Sequence, residues 1–240
     1  MRALALYLRT PFGRLHSRNP EVVALAEALG RSAGSVALKL VNLVACDATV
    51  DRKGMANASA LDREVWTDFL RDPLGTLASV SGGAPADAPP AAAARRFAFP
   101  EAAPGPGLRE GLDVPAAATA RRGQDLFRDW VLAAYDGRCA VTRLDDPRLL
   151  TASHVEGWAE APAHRLDPSN GLCLNALHDR AFDRALISFD ADWRVMVSDR
   201  LAPEARAWFK RPEHERLRLP ARFRPCPERM ARHRARFLAA

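Results

Sequence analysis

The chain has 240 residues, 48% of them hydrophobic and 27% charged, with a net charge of +6 and a pI of about 9.7. That length predicts one or two domains with apolar mass enough for a core in each, and no apolar run approaches the roughly 18 residues a membrane span needs. The opening Met1–Arg9 is too short for a secretory h-region, and Thr10-Pro11-Phe12 does not resemble a cleavage site, so a cytoplasmic protein is expected.

Cysteine usage excludes two further classes. Cys46, Cys139, Cys173 and Cys226 include no CxxC pair, which argues against a disulfide framework and against a four-cysteine structural zinc. The positive charge is unevenly placed: Leu201–Ala240 holds eleven Lys and Arg against four Asp and Glu. Such a segment favours a polyanionic partner through phosphate neutralisation. With only three lysines in an Arg- and Ala-rich chain, the pI alone says little about partners.

Residues 1–76 read as a helical domain. Asn19-Pro20-Glu21 is a helix N-terminus, with a cap, a proline at the first helical position and an acid in the first turn. Gly30 closes that helix, and Ser32 can cap the next, where Val36, Leu40, Leu43 and Val44 recur at helical spacing. Helix, glycine turn and helix form the helix-turn-helix pattern. Arg31, Ser35 and Lys39 stand at the start of the second helix, where a recognition helix presents donors to DNA. A small helical bundle without a ligand fits the same pattern. A turn-rich loop, Asp51–Gly54, leads to a helix near Ala60–Arg71.

Composition then shifts to Ala, Pro, Gly and Ser over 77–118, a tract that cannot bury enough apolar surface to offset its ordering entropy. It is expected to be a linker. Residues 119–240 return to patterned sequence. Thr119–Asp136 reads as a helix with Leu126, Phe127, Trp130, Val131 and Ala134 in one stripe. Cys139–Thr142 and Leu149–Val155 are predicted strands of a hairpin, Ala159–Ser169 a loop, and Leu172–Arg184 a helix opened by Asn170-Gly171. Ala185–Ser198 reads as a second hairpin around Asp190–Asp192, and the tail ends in a basic helix over Glu228–Leu238.

Within this part, His154, Asn170 and His178 stand in the order of the residues that name the HNH nucleases. The blocks RRGQDLFRDWVLAAYDGRCAVT, ASHV and DPSNGLCLNALHDRAFDRALIS are together similar to the HNH class of bacterial restriction endonucleases. LAEALGRSAGSVALKL likewise resembles domains found ahead of HNH nuclease domains in restriction-type proteins. The resemblance implies an α+β chain with a C-terminal ββα-metal nuclease domain. It implies a divalent cation (Mg, Mn, Ni or Zn) and phosphodiester hydrolysis of double-stranded DNA, including foreign DNA with altered bases. A homodimer is among the arrangements it allows, because cutting both strands often calls for one.

Hydrolysis needs an activated water and a cation to neutralise charge on the phosphorane. A neutral His suits the first task, which assigns His154 as general base. His178 is the expected metal ligand. On helix geometry Asp179 and Asp183 form a separate i,i+4 pair, while the resemblance favours Asp183 as the second ligand. Asn170 can bond both backbone directions of its loop and is read mainly as a brace. Arg165, Arg180 and Arg184 are phosphate-binding candidates. The chain departs from the family in two places. Ser153 stands where many HNH nucleases have a metal-binding Asp. Cys139-Ala-Val-Thr142 and Leu172-Cys-Leu-Asn175 stand near where many have paired zinc-binding CxxC elements, so this core is expected to hold by packing. A binding-only DNA regulator and an RNase or nuclease toxin remain as other classes.

Overall fold

The computed structural model describes residues 1–48, 50, 57–81 and 114–240. Five helices come first: α1 (Arg2–Arg9), α2 (Pro20–Ala28), α3 (Ala33–Val44), α4 (Ala60–Arg71) and α5 (Pro73–Ser81). Their ends follow the local chemistry. The Asn19 side chain accepts from the Glu21 amide at the start of α2, and Ser32 accepts from Ser35 at the start of α3. Between those helices Gly30 takes φ +60. There the amides of Gly30 and Arg31 reach back to Glu27 and Ala26, a Schellman closure that favours glycine. Ser59 and Asp62 form a capping box at α4.

The loop Asp51–Gly54 and most of the expected linker lie outside the described residues. At its edges the linker expectation is corrected, because Leu77 lies within α5 and the next helix, α6 (Val114–Ala134), begins before residue 119. The helical layer also shares one apolar core with the C-terminal half of the chain. Phe69 of α4 meets Trp130 of α6 edge-on at 5.4 Å, a contact contributing about 0.5–1.5 kcal/mol beyond area burial. Arg222, fully buried, donates to the carbonyls of Tyr7 at 2.5 Å, Leu8 at 3.1 Å and Thr10 at 2.6 Å. Its guanidinium lies 4.6 Å from the Tyr7 ring centre. A buried charge is tolerated only with such partners, so the tail is tied to α1 by a bond set that solvent cannot replace.

After α6 come β1 (Leu150–His154), β2 (Gly171–Asn175), α7 (Ala176–Asp183), β3 (Ile187–Phe189), β4 (Val195–Val197), α8 (Pro203–Phe209) and α9 (Pro227–Ala239). The second hairpin forms as expected, with Ser188 opposite Met196. The first differs. Cys139–Thr142 is a turn, not a strand, and β1 pairs antiparallel with β2, His154 opposite Gly171 and Ser153 opposite Leu172. Residues 172–175, expected as helix, belong to the strand Gly171–Asn175, which is buried along its whole length. The helix starts one turn later, where the Asn175 side chain accepts from the amides of Leu177 and His178. A continuous apolar run buried on both faces is consistent with strand or helix, and the cap at Asn175 decides where the helix begins.

Gly171 lets β2 lie directly on α6. A Cβ there would come within 2.4 Å of Val131 Cγ2 and 2.8 Å of Phe127 Cζ. Gly171→Ala is expected to destabilise the fold by about 1–3 kcal/mol, the usual cost of overpacking a core, read as a lower midpoint in urea.

Candidate active site

A long loop joins β1 to β2, and Asn170 holds that loop closed. Its fully buried amide donates to the carbonyls of Glu156 at 3.1 Å and His164 at 3.3 Å, and accepts from the Glu156 amide at 3.0 Å. Its backbone carbonyl accepts from the Val155 amide. Both ends and the middle of the loop are thereby fixed to one residue.

That loop orients His154. The imidazole stacks on Phe127 at 3.8 Å and meets Trp158 edge-on at 5.6 Å. Its Nε2 lies 3.1 Å from the Arg165 carbonyl oxygen, an acceptor that requires Nε2 to carry the proton. Nδ1 is then left with a free lone pair. Burial pushes the His154 pKa below its ordinary value, opposed in part by the Arg165 carbonyl. The ring is therefore neutral near pH 7 and held in one tautomer.

His154 opens on a polar groove of about 340 Å³ lined by Ser153, Glu160, Asp179, Asp183 and Arg236, with Trp158 at its edge. Asp179 and Asp183 sit one turn apart on α7 and present both carboxyls to the groove. Burial, and then the charge of Asp183, raise the Asp179 pKa, while a hydrogen bond from Ser153 opposes them. Ser153 is thus hydrogen-bonded to Asp179.

His178 does not line this groove. It is fully buried among Trp208, Phe209 and His214, whose ring centres lie 5.3, 5.3 and 5.0 Å away. Burial, with His214 beside it, pushes its pKa down to about 4. Its Nδ1 lies 3.1 Å from Asn175 Oδ1, and Nε2 has no hydrogen-bond partner among the described residues. The expectation of His178 and Asp183 as joint ligands therefore meets a helix that turns them to different sides. Asp179 is the residue beside Asp183, and the i,i+4 spacing of the two acids was the signal for it. Glu160 and Arg236 carried no such signal.

His178 instead joins a small polar cluster. Asn175 Nδ2 donates to Thr142 Oγ1 at 3.2 Å, and the Asn175 amide donates to Cys139 Sγ at 3.3 Å. Cys139 and Thr142, and Asn175 and His178, are two pairs with the spacing of paired CxxC elements. This corner is expected from the sequence to hold by packing, and in addition hydrogen bonds link all four residues.

The remaining candidates divide. Arg31, Ser35 and Arg180 are exposed. Lys39 is engaged, with Nζ 3.0 and 3.1 Å from the two carboxylate oxygens of Asp62, so it ties α3 to α4. The Arg165 guanidinium lies 5.2 Å from the Trp158 ring centre and donates through Nε to the Trp158 carbonyl at 2.7 Å.

For a metal, the donor set is two carboxylates on one helix face, and among the described residues no group of three or more His, Cys, Asp or Glu is placed to hold an ion. Two carboxylates with open water positions suit a hard divalent cation, which commonly keeps several waters and takes substrate phosphate oxygens as further ligands. Asp179 and Asp183 fit such an ion; His178 does not.

Residues 139–190 match the family model described as HNH endonuclease. The match covers less than half of the chain, and this segment is similar to HNH endonuclease domains. No curated protein matches the chain. Among the described residues no helix is long and apolar enough to cross a membrane.

Proposed function

We propose that the chain is a divalent-metal-dependent endonuclease of double-stranded DNA, of the restriction type, with His154 as general base. The observation that carries this reading is the fixed tautomer of His154, a residue that lines one groove together with Asp179 and Asp183. His154 takes a proton from water as the water oxygen bonds to phosphorus. The bond from phosphorus to the departing sugar oxygen breaks, and that oxygen leaves with the electron pair and is protonated by solvent. Asp179 and Asp183 would hold the cation, which supplies charge neutralisation at the phosphate and the departing oxygen. Asn170 keeps the loop, and with it the Arg165 carbonyl, in register with the His154 ring. Arg180, on the face of α7 near Asp179, is a phosphate contact, and Arg31 and Ser35 are contacts of the helical layer with DNA. Cutting both strands calls for a second site, supplied by a homodimer.

The test is a panel of unmodified, methylated, hydroxymethylated and phosphorothioated plasmid, each with Mg²⁺, Mn²⁺, Ni²⁺ or Zn²⁺. Nicking or linearisation that EDTA stops is the expected result. Salt-sensitive binding without cutting on every substrate would establish the binding-only regulator instead.

A further inference from the structure

We propose that Arg236 of α9 is a catalytic residue of this site: its guanidinium binds the non-bridging oxygens of the scissile phosphate and stabilises the charge that builds on them in the transition state. This role rests on the nuclease reading above.

Arg229, Arg232 and Arg236 are three and four residues apart and share one face of α9. The first two are anchored on the loop between β1 and β2. Arg229, mostly buried, lies 2.7 Å from Asp167 Oδ2 and 3.6 Å from Glu156 Oε2. It also reaches Ser169 Oγ at 3.2 Å and His164 Nδ1 at 3.1 Å. Arg232 donates to Glu156 at 2.5 Å.

A second clamp fixes α9 to the acid-bearing helix. His233 stacks on Phe182 at 3.7 Å, and its Nε2 donates to the Phe182 carbonyl at 3.0 Å. Its Nδ1 lies 2.9 Å from Ser188 Oγ, whose hydroxyl donates to it. Held on both sides, α9 delivers the third arginine of the stripe to the groove wall, beside His154, Asp179 and Asp183.

Arg236 differs from its two neighbours in having a weak hold. Its ion-pair partner is Glu160 at 3.9 Å, and the two side chains are 42% and 68% exposed. An exposed pair at that distance contributes little, so exchanging Glu160 for a phosphate costs little. The electrostatics of the groove favour the exchange. Glu160, Asp179 and Asp183 place three carboxyl groups on its walls against a single guanidinium. A phosphodiester anion entering that field needs positive charge beyond what a divalent cation on the Asp179–Asp183 pair offsets. A guanidinium can meet two non-bridging oxygens through two parallel N–H bonds. Its contribution grows as charge moves onto those oxygens. Arg236 transfers no proton in this step.

Steady-state cleavage of a plasmid or short duplex by the full chain, with Arg236→Gln and Arg236→Lys, tests the assignment. Arg236→Gln is expected to lower kcat about 10²-fold, the size of effect seen when one charge-stabilising donor is lost, with KM changed by less than about threefold. Arg236→Lys restores part of kcat. Guanidinium ion added to Arg236→Ala raises its rate, which a merely structural role would not produce. Tm stays at the parent value, since the side chain is exposed. An unchanged kcat, a rise in KM alone, or a lowered Tm that accounts for the lost activity overturns the role while leaving the nuclease reading intact. Absence of cutting by the unaltered protein overturns both.

Discussion

His154→Ala is expected to reduce cleavage by about 10³-fold, within the usual range for a positioned general base, with DNA binding unchanged. Three features combine in this residue. Phe127 fixes the plane of the ring, the Arg165 carbonyl fixes which nitrogen carries the proton, and burial favours the neutral form. The active form is the unprotonated one, so activity rises with pH along an acid limb. Because burial lowers the pKa, the midpoint of that limb lies below the ordinary histidine value of about 6.5. The rate is then flat through neutrality. A pH profile of kcat/KM on the unaltered protein checks the sign, and a midpoint well above 7 would contradict the environment described for the ring. Cutting by His154→Ala at the parent rate would remove His154 as base.

Asp179→Asn is expected to abolish metal-stimulated cleavage, by at least about 10²-fold, and at the same time to raise Tm in metal-free buffer. The two effects share a cause. Burial and the neighbouring Asp183 raise the Asp179 pKa, so ionising it costs the folded state more than the unfolded one. A group with a raised folded pKa contributes stability at low pH that is lost as pH rises through that value. The asparagine has no charge to lose and can still accept from Ser153. Adding Mg²⁺ or Mn²⁺ should raise Tm for the unaltered protein by mass action and leave the variant unmoved. A scanning fluorimetry series over metal concentration reads both. A variant no more stable than the parent, and still stimulated by metal, would place the cation elsewhere.

Sequence reasoning reached the site by order of residues and missed part of its geometry. The motif order brought His154 and Asn170 together, and both side chains are bonded to the backbone of one loop. It placed His178 with them, although a helix period puts Asp179 with Asp183 and turns His178 toward α8. The helical spacing of the two acids was visible; the direction of the helix was not. That direction depends on where α7 starts, and the start depends on Asn175 capping a helix after a strand of five buried residues. The turn at Cys139–Thr142 was illegible for another reason. Besides local bonds to Arg143 and Leu144, it is held by bonds to Cys173 and Arg218, and no local pattern records partners that distant. Arg236 was hidden in the same way: a basic tail reads as a charged surface until His233 and Arg229 fix the face it presents.

The linked residues Cys139, Thr142, Asn175 and His178 separate two uses of metal that HNH proteins with a structural zinc combine. Where a corner is made of neutral groups bonded to one another, chelation has nothing there to extract. On the proposed metal-dependent reading, EDTA is expected to act on catalysis alone, stopping the reaction and leaving a folded protein that re-added cation restarts. Cys139, buried and accepting a backbone amide, is likewise shielded from oxidants. At this corner, exchange of zinc and oxidation of Cys139 are expected to have little hold on the fold, while on the proposed reading the acids of α7 respond to the ion content of the surroundings.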